Sequence, residues 1–188
     1  MKKQLSILTA ALLLLTLTTQ AQEGNSGERI FKKFKVDVSL GYAVPQESQG
    51  AGSKAGVLFA IEPKFALMDQ LAVGLRMEGA VMASIDQAGQ TGNAKANFSY
   101  LATGDYYFNN NKFRPFGGIG AGIYTFASVD FDQDTELDNV PVSSKFGCMA
   151  RGGFEYGHLR VGVEYNFVSK KAGYLGLKLG VVLGGGRK

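Results

Sequence analysis

Tryptophan is absent from this chain, and cysteine and histidine occur once each. A lone Cys148 cannot close an internal disulfide, so an oxidising compartment adds no covalent staple. No cysteine follows the apolar N-terminal run, so no lipoprotein anchor is expected. A Ser/His hydrolase needs a histidine beside its nucleophile, and the sole histidine falls in a predicted two-residue turn, Gly157-His158. Clustered Lys/Arg stripes are also missing, which argues against a nucleic-acid partner. Past residue 17 no apolar run reaches the roughly 20 residues that a transmembrane helix needs.

The first apolar run reads as a targeting signal. Lys2 and Lys3 precede an almost wholly apolar stretch, Leu5 to Leu17, and small residues close it at Thr19 and Ala21. A charged start, a short apolar middle and a small-residue exit predict a secretory signal peptide over 1–21. Its removal lowers the formal charge from +4 to +2, so the basic pI says little about partners. A polar lead-in is expected over 22–33, and one domain over 34–186.

What is abundant is glycine, with 26 residues, and aromatics, with 13 Phe and 8 Tyr. From Phe34 onward the pattern is period two, the mark of strands with unlike faces. Phe34, Val36, Val38, Leu40 and Tyr42 alternate with Lys35, Asp37, Ser39 and Gly41. Seven further segments repeat it, ending with Leu175 to Leu183 against Gly176, Lys178 and Gly180. Eight strands of roughly 9–11 residues suit tilted strands crossing a bilayer. The connections alternate in length. Tight turns are expected at 68–70, 109–112 and 157–158, and longer loops at 45–53, 84–94, 128–144 and 169–173. Membrane barrels place short turns on the periplasmic side and longer loops outside. The expected fold is therefore all-β: an eight-stranded antiparallel up-and-down transmembrane β-barrel behind a cleaved signal peptide.

A soluble barrel also alternates, with its apolar face inward. Two features favour the reverse. The polar faces are rich in glycine (Gly41, Gly74, Gly118, Gly120, Gly122, Gly147, Gly153, Gly162, Gly176 and Gly180 among them), which weakens a strand and suits a crowded lumen. The same faces carry nearly balanced charge. Glu62, Glu78, Asp105, Glu155 and Glu164 stand against Lys64, Arg76, Lys95, Arg114, Arg151, Arg160 and Lys178. In a narrow lumen each charge needs a partner, because an unpaired buried charge is costly. Aromatics near strand ends (Tyr42, Phe65, Tyr106, Phe108, Phe113, Tyr156, Phe167) fit interfacial girdles.

Three segments carry a resemblance. They are the aromatic strand Tyr100 to Phe108, the Arg114 to Gly122 strand that follows the asparagine turn, and Arg160 to Phe167. With them the chain resembles the small outer-membrane β-barrel family of the OmpX, OmpA-barrel and OmpW groups, over about residues 34–186. The resemblance implies residence in the outer membrane of a Gram-negative-type bacterium. It also implies contact with outer-membrane lipid and lipopolysaccharide, insertion by the barrel-insertion machinery, and a monomer without cofactor. Such barrels usually finish on an aromatic residue. Here the polar, glycine and apolar spacing of Lys178 to Leu183 is followed by Gly184 to Lys188.

One loop has distinctive chemistry. Asp130, Asp132, Asp134, Glu136 and Asp138 alternate, and carboxylates so spaced could ligate Ca²⁺ or bridge through divalent ions to lipopolysaccharide phosphates. An EF-hand does not fit, since Thr135 stands where glycine is needed and Pro141 where the bidentate glutamate belongs. The favoured reading is a solvated strand extension. The leading functional expectation is a non-enzymatic structural or surface-interaction protein with a charge-filled lumen and no open pore. The alternatives are a narrow OmpW-like path for small hydrophobic molecules and, behind it, a lipid-modifying enzyme.

Overall fold

A computed structural model describes residues 29–45, 56–85, 92–131, 142–168 and 173–187. Eight strands run in chain order: β1 (Phe34–Pro45), β2 (Gly56–Ala66), β3 (Leu71–Ile85), β4 (Gly92–Tyr107), β5 (Phe113–Phe131), β6 (Val142–Tyr156), β7 (Leu159–Phe167) and β8 (Tyr174–Gly184). Each pairs antiparallel with its chain neighbours, and β1 pairs with β8 to close the barrel. Closure removes the two edge strands of an open sheet, although Val142 to Gly147 of β6 run past β7 at the loop end.

The alternation sorts side chains as the sequence implies. Leu40, Val57, Ile119 and Phe146 point outward and are 66–72% exposed, while Lys64, Arg76, Asp105 and Glu164 point inward and are at most 3% exposed. Large apolar side chains line the outer wall on every strand. So extensive an exposed apolar surface is stable against lipid, not water.

Crowding explains the inward glycines. A Cβ on Gly41 would sit 2.2 Å from the Leu177 carbonyl oxygen, and one on Gly118 would sit 2.2 Å from Asp105 Oδ1. The outward glycines have room: nothing lies within 4 Å of a Cβ on Gly104, and the nearest atom to one on Gly152 is at 3.7 Å.

Five strands exceed the expected 9–11 residues, β1 by a single residue at 12. β3 and β6 have 15, β4 has 16 and β5 has 19. At about 3.3 Å per residue β5 is roughly twice the length that crosses a bilayer. The β3–β4 ladder continues to Ile85 and Gly92, and the β4–β5 ladder to Gly92 and Phe131. Much of the expected 84–94 and 128–144 loops is therefore strand, because backbone pairing does not stop at the membrane edge. Asp130 belongs to this extension, opposite Asn93. Asp132, Asp134, Glu136 and Asp138 lie outside the described residues, as does the expected signal peptide.

The short-turn end is closed by two chain segments. Residues 29–33, expected as part of a lead-in, are tied down. Arg29 donates to the Ala66 and Leu67 carbonyls, the Ile30 and Phe31 amides donate to Asp69, and Phe31 bridges to Arg187. Gly184 and Gly185 adopt φ of 77° and 64°. That left-handed region favours glycine, and it turns the chain after β8 back toward Phe31.

Candidate functional site

The inward residues form two ion-pair clusters stacked along the barrel. The first lies toward the short turns. Asp105, on β4, accepts from Lys64 at 2.9 Å, Arg160 at 2.8 Å and Arg151 at 2.8 Å. Arg151 also reaches across to Glu62 at 2.6 Å, and Thr103 Oγ1 donates to the same carboxylate. Asp37 takes Arg160 at 2.8 Å and Lys64 at 3.3 Å. Glu155 takes Lys35 at 2.8 Å, Arg160, and the Tyr107 hydroxyl at 2.6 Å. Four cations meet four carboxylates.

The second cluster lies toward the loops. Arg76 pairs with Glu78 and Glu164, and Lys178 pairs with the same two carboxylates. Tyr174 donates to Glu78, and Tyr124 donates to Asn166, whose amide donates to Glu164. Two cations meet two carboxylates. Above it an apolar layer of Ala43, Leu58, Ala80, Leu101, Tyr124 and Tyr174 fills the barrel, with Phe126 and Val168 against it.

Between the two clusters, among the described residues, the remaining space is small. A cavity of about 20 Å³ lies between Asp37, Glu62, Arg151, Arg160, Glu164 and Lys178, room for about one water molecule. An eight-stranded barrel is narrow enough for side chains to fill.

Ten of the twelve charges expected in the lumen thus meet in ion pairs; the Lys95 side chain lies outside the described residues, and Arg114 departs from the expectation. Its guanidinium makes no ion pair among the described residues. It donates to the Asp69 backbone carbonyl at 2.6 Å and stacks 3.9 Å from the Phe31 ring and 4.1 Å from the Tyr107 ring. The reason is competition, since Lys35 and Arg160 hold its cross-strand neighbour Glu155. Lys35 and Asp37, on the polar face of β1, also join the network, beyond the charges expected there. Tyr107, Tyr124 and Tyr174 were missed as lumen hydroxyls. Their parity with Asp105, Gly122 and Gly176 was the available signal.

Other candidates are accounted for locally. His158 Nδ1 donates to the Val182 carbonyl at 2.8 Å. Cys148 is exposed on the outer wall. Among the described residues no group of three or more His, Cys, Asp or Glu is placed to hold a metal ion.

Known structures share this architecture. Neisserial surface protein A superposes with a TM-score of 0.67 at 16% identity, covering 82% of this chain and 98% of that one. Ail of Yersinia pestis gives 0.52 at 15% identity, over 81% and 100%. OprG of Pseudomonas aeruginosa gives 0.51 at 11%, over 83% and 98%. At these identities the likeness is one of fold. Among curated proteins no sequence matches. The family model of the outer membrane protein β-barrel domain matches residues 9–184, nearly the whole chain. With the closed barrel and its apolar outer wall, the chain belongs to the outer membrane β-barrel protein family.

Proposed function

We propose that this protein is a non-enzymatic, monomeric scaffold of the outer membrane whose loop end makes surface interactions. The observation that carries the reading is the pairing of a filled lumen with strands that outrun the bilayer. Ion pairs and an apolar layer occupy the interior, so solute passage is not where the fold invests. β4 and β5 instead carry a hydrogen-bonded ladder well past the membrane, as far as Gly92 and Phe131. That ladder leads into the acidic run Asp130 to Asp138.

The charge of that run selects the partner chemistry. Five carboxylates fall between residues 128 and 144 with no lysine or arginine among them. Such a segment favours divalent cations or a basic surface, and it repels sulfated or phosphorylated polymers unless a divalent ion bridges them. Ail has been crystallised with the heparin analogue sucrose octasulfate, a polyanion. The acidic loop here argues for a different class of ligand.

The test replaces residues 130–138 with a short Gly/Ser turn and displays both forms on cells lacking other surface adhesins. Calcium-dependent binding to lipopolysaccharide-coated beads, or binding to a basic peptide surface, is expected for the parent and not for the variant. Equal binding by both forms refutes the surface role. Steady single-channel conductance of the purified parent in planar bilayers refutes the closed scaffold.

A further inference from the structure

The lumen clusters are neutral, but the short-turn mouth is not. A cavity of about 280 Å³ opens there. Lys35, Arg114 and Glu155 line it from the barrel wall, Lys112 from the β4–β5 turn, and Phe31 and Arg187 from the segments that cross the mouth. Among the described residues Glu155 is its sole carboxylate, and Lys35 and Arg160 already hold it. Lys112, Arg114 and Arg187 hold no carboxylate among the described residues; Lys112 Nζ lies 5.0 Å from the Tyr156 ring, and Arg187 donates to the Asn110 carbonyl at 3.0 Å. Asp69 is the next acid. It lines a separate cavity of about 10 Å³, and its carboxylate accepts the Ile30 and Phe31 amides.

Arg114 is the unusual member. It is only 7% exposed, and its Nε has no partner among the described residues. Two aromatic faces orient the guanidinium, yet a ring face does not neutralise it. Every other buried cation among the described residues meets a carboxylate, as the cost of burying an isolated charge demands.

We propose that this cavity binds a phosphate-type oxyanion, with Arg114 at its centre and Lys112 and Arg187 on its rim. The guanidinium fork matches the oxygen spacing of a phosphate. Three cations with no free carboxylate suit a dianion better than a single carboxylate. The volume exceeds that of phosphate alone, and Phe31 and Val182 offer apolar contact to an attached organic group. Lys35, Arg114, Glu155 and Val182 all belong to the inward face, so the cavity looks along the barrel axis and not into the lipid wall. The ligand is therefore a soluble phosphate monoester, reaching the site from the periplasm, the side on which short turns of such barrels lie. This site is independent of the loop end.

The experiment uses the mature chain folded in zwitterionic detergent and titrated with glycerol 3-phosphate by calorimetry. Saturable one-to-one binding is expected, weaker at high salt. Affinity should fall about tenfold in the Lys112→Gln/Arg187→Gln double variant and further in Arg114→Gln. The two rim residues are exposed, so the double variant keeps the test open if Arg114→Gln fails to fold. Absence of saturable binding, or affinity indifferent to the double substitution, overturns the site. In a second arm the protein sits in nanodiscs of phosphatidylcholine with or without phosphatidylglycerol. Unchanged affinity is expected in both, and loss of binding with phosphatidylglycerol overturns the assignment to a soluble ligand in favour of a lipid headgroup.

Discussion

Asp105 anchors three cations from three other strands, and its neutralisation is the sharpest test of the lumen. In Asp105→Asn the side chain keeps its shape and one acceptor oxygen but loses its charge. Lys64, Arg151 and Arg160 sit within 2.9 Å of it. The substitution leaves the cluster with four cations and three carboxylates, all buried. Removing one partner of a buried ion pair typically costs about 3–5 kcal/mol, mostly through the charge left behind. The assay is equilibrium urea unfolding in lipid vesicles. The chain has no tryptophan, so unfolding is followed by circular dichroism or by the mobility shift between folded and unfolded barrel on gels. Lys64→Met removes one of the cations that Asp105 holds. If charge balance governs stability, Lys64→Met/Asp105→Asn restores neutrality and recovers at least half of the loss, an interaction readable from the double-mutant cycle. A loss below about 1 kcal/mol in Asp105→Asn, or a double variant no more stable than the single one, refutes the argument.

Glycine position should matter by face. Gly118→Ala drives a methyl group into the Asp105–Arg151 pair and is expected to cost about 1–3 kcal/mol, whereas Gly104→Ala faces open space and is expected to stabilise by about 0.4–1 kcal/mol; the same unfolding assay reads both. Ile119→Arg places a charge on the outer wall near mid-barrel and should cost about 2–4 kcal/mol in lipid, a penalty that vanishes if that wall meets water. Phe31→Ala removes a ring stacked on Arg114. Hydrogen exchange at the Ile30 and Phe31 amides should then speed up by about tenfold, as expected for loss of a 1–2 kcal/mol cation–π contact, and unchanged rates would show that Asp69 alone holds the strap.

The strand pattern made most of the barrel legible. Period two from Phe34 onward assigns nearly every side chain to lipid or lumen, because a one-residue slip would put Arg76 or Glu164 into lipid. Pairing partners were another matter. Arg151 stands beside Glu164 in the β6–β7 register, yet its guanidinium joins Glu62 and Asp105. Local spacing cannot reveal a contact 89 residues apart. The mouth was hidden for the same reason: Phe31 and Arg187 lie near opposite ends of the chain and meet only after the barrel closes. Strand ends beyond the bilayer were misjudged because the polar residues after Ser84 and Ser128 read as loop, while main-chain pairing tolerates them.

The cross-lumen ion pairs also bear on how the barrel assembles. Arg151 on β6 finds Glu62 on β2, and Lys35 on β1 finds Glu155 on β6. None of these partners is adjacent in the sheet, so a partly zipped ribbon satisfies none of them. Until the first and last strands join, the larger cluster has only the pairs within one strand or between neighbouring strands, such as Lys64 with Asp37 and Arg160 with Glu155. The open intermediate is thereby penalised and the closed state rewarded in a single step. The network works as a latch on the β1–β8 seam: a seam that parts must break the pairs that cross it, Lys35 with Glu155 and Arg160 with Asp37 among them.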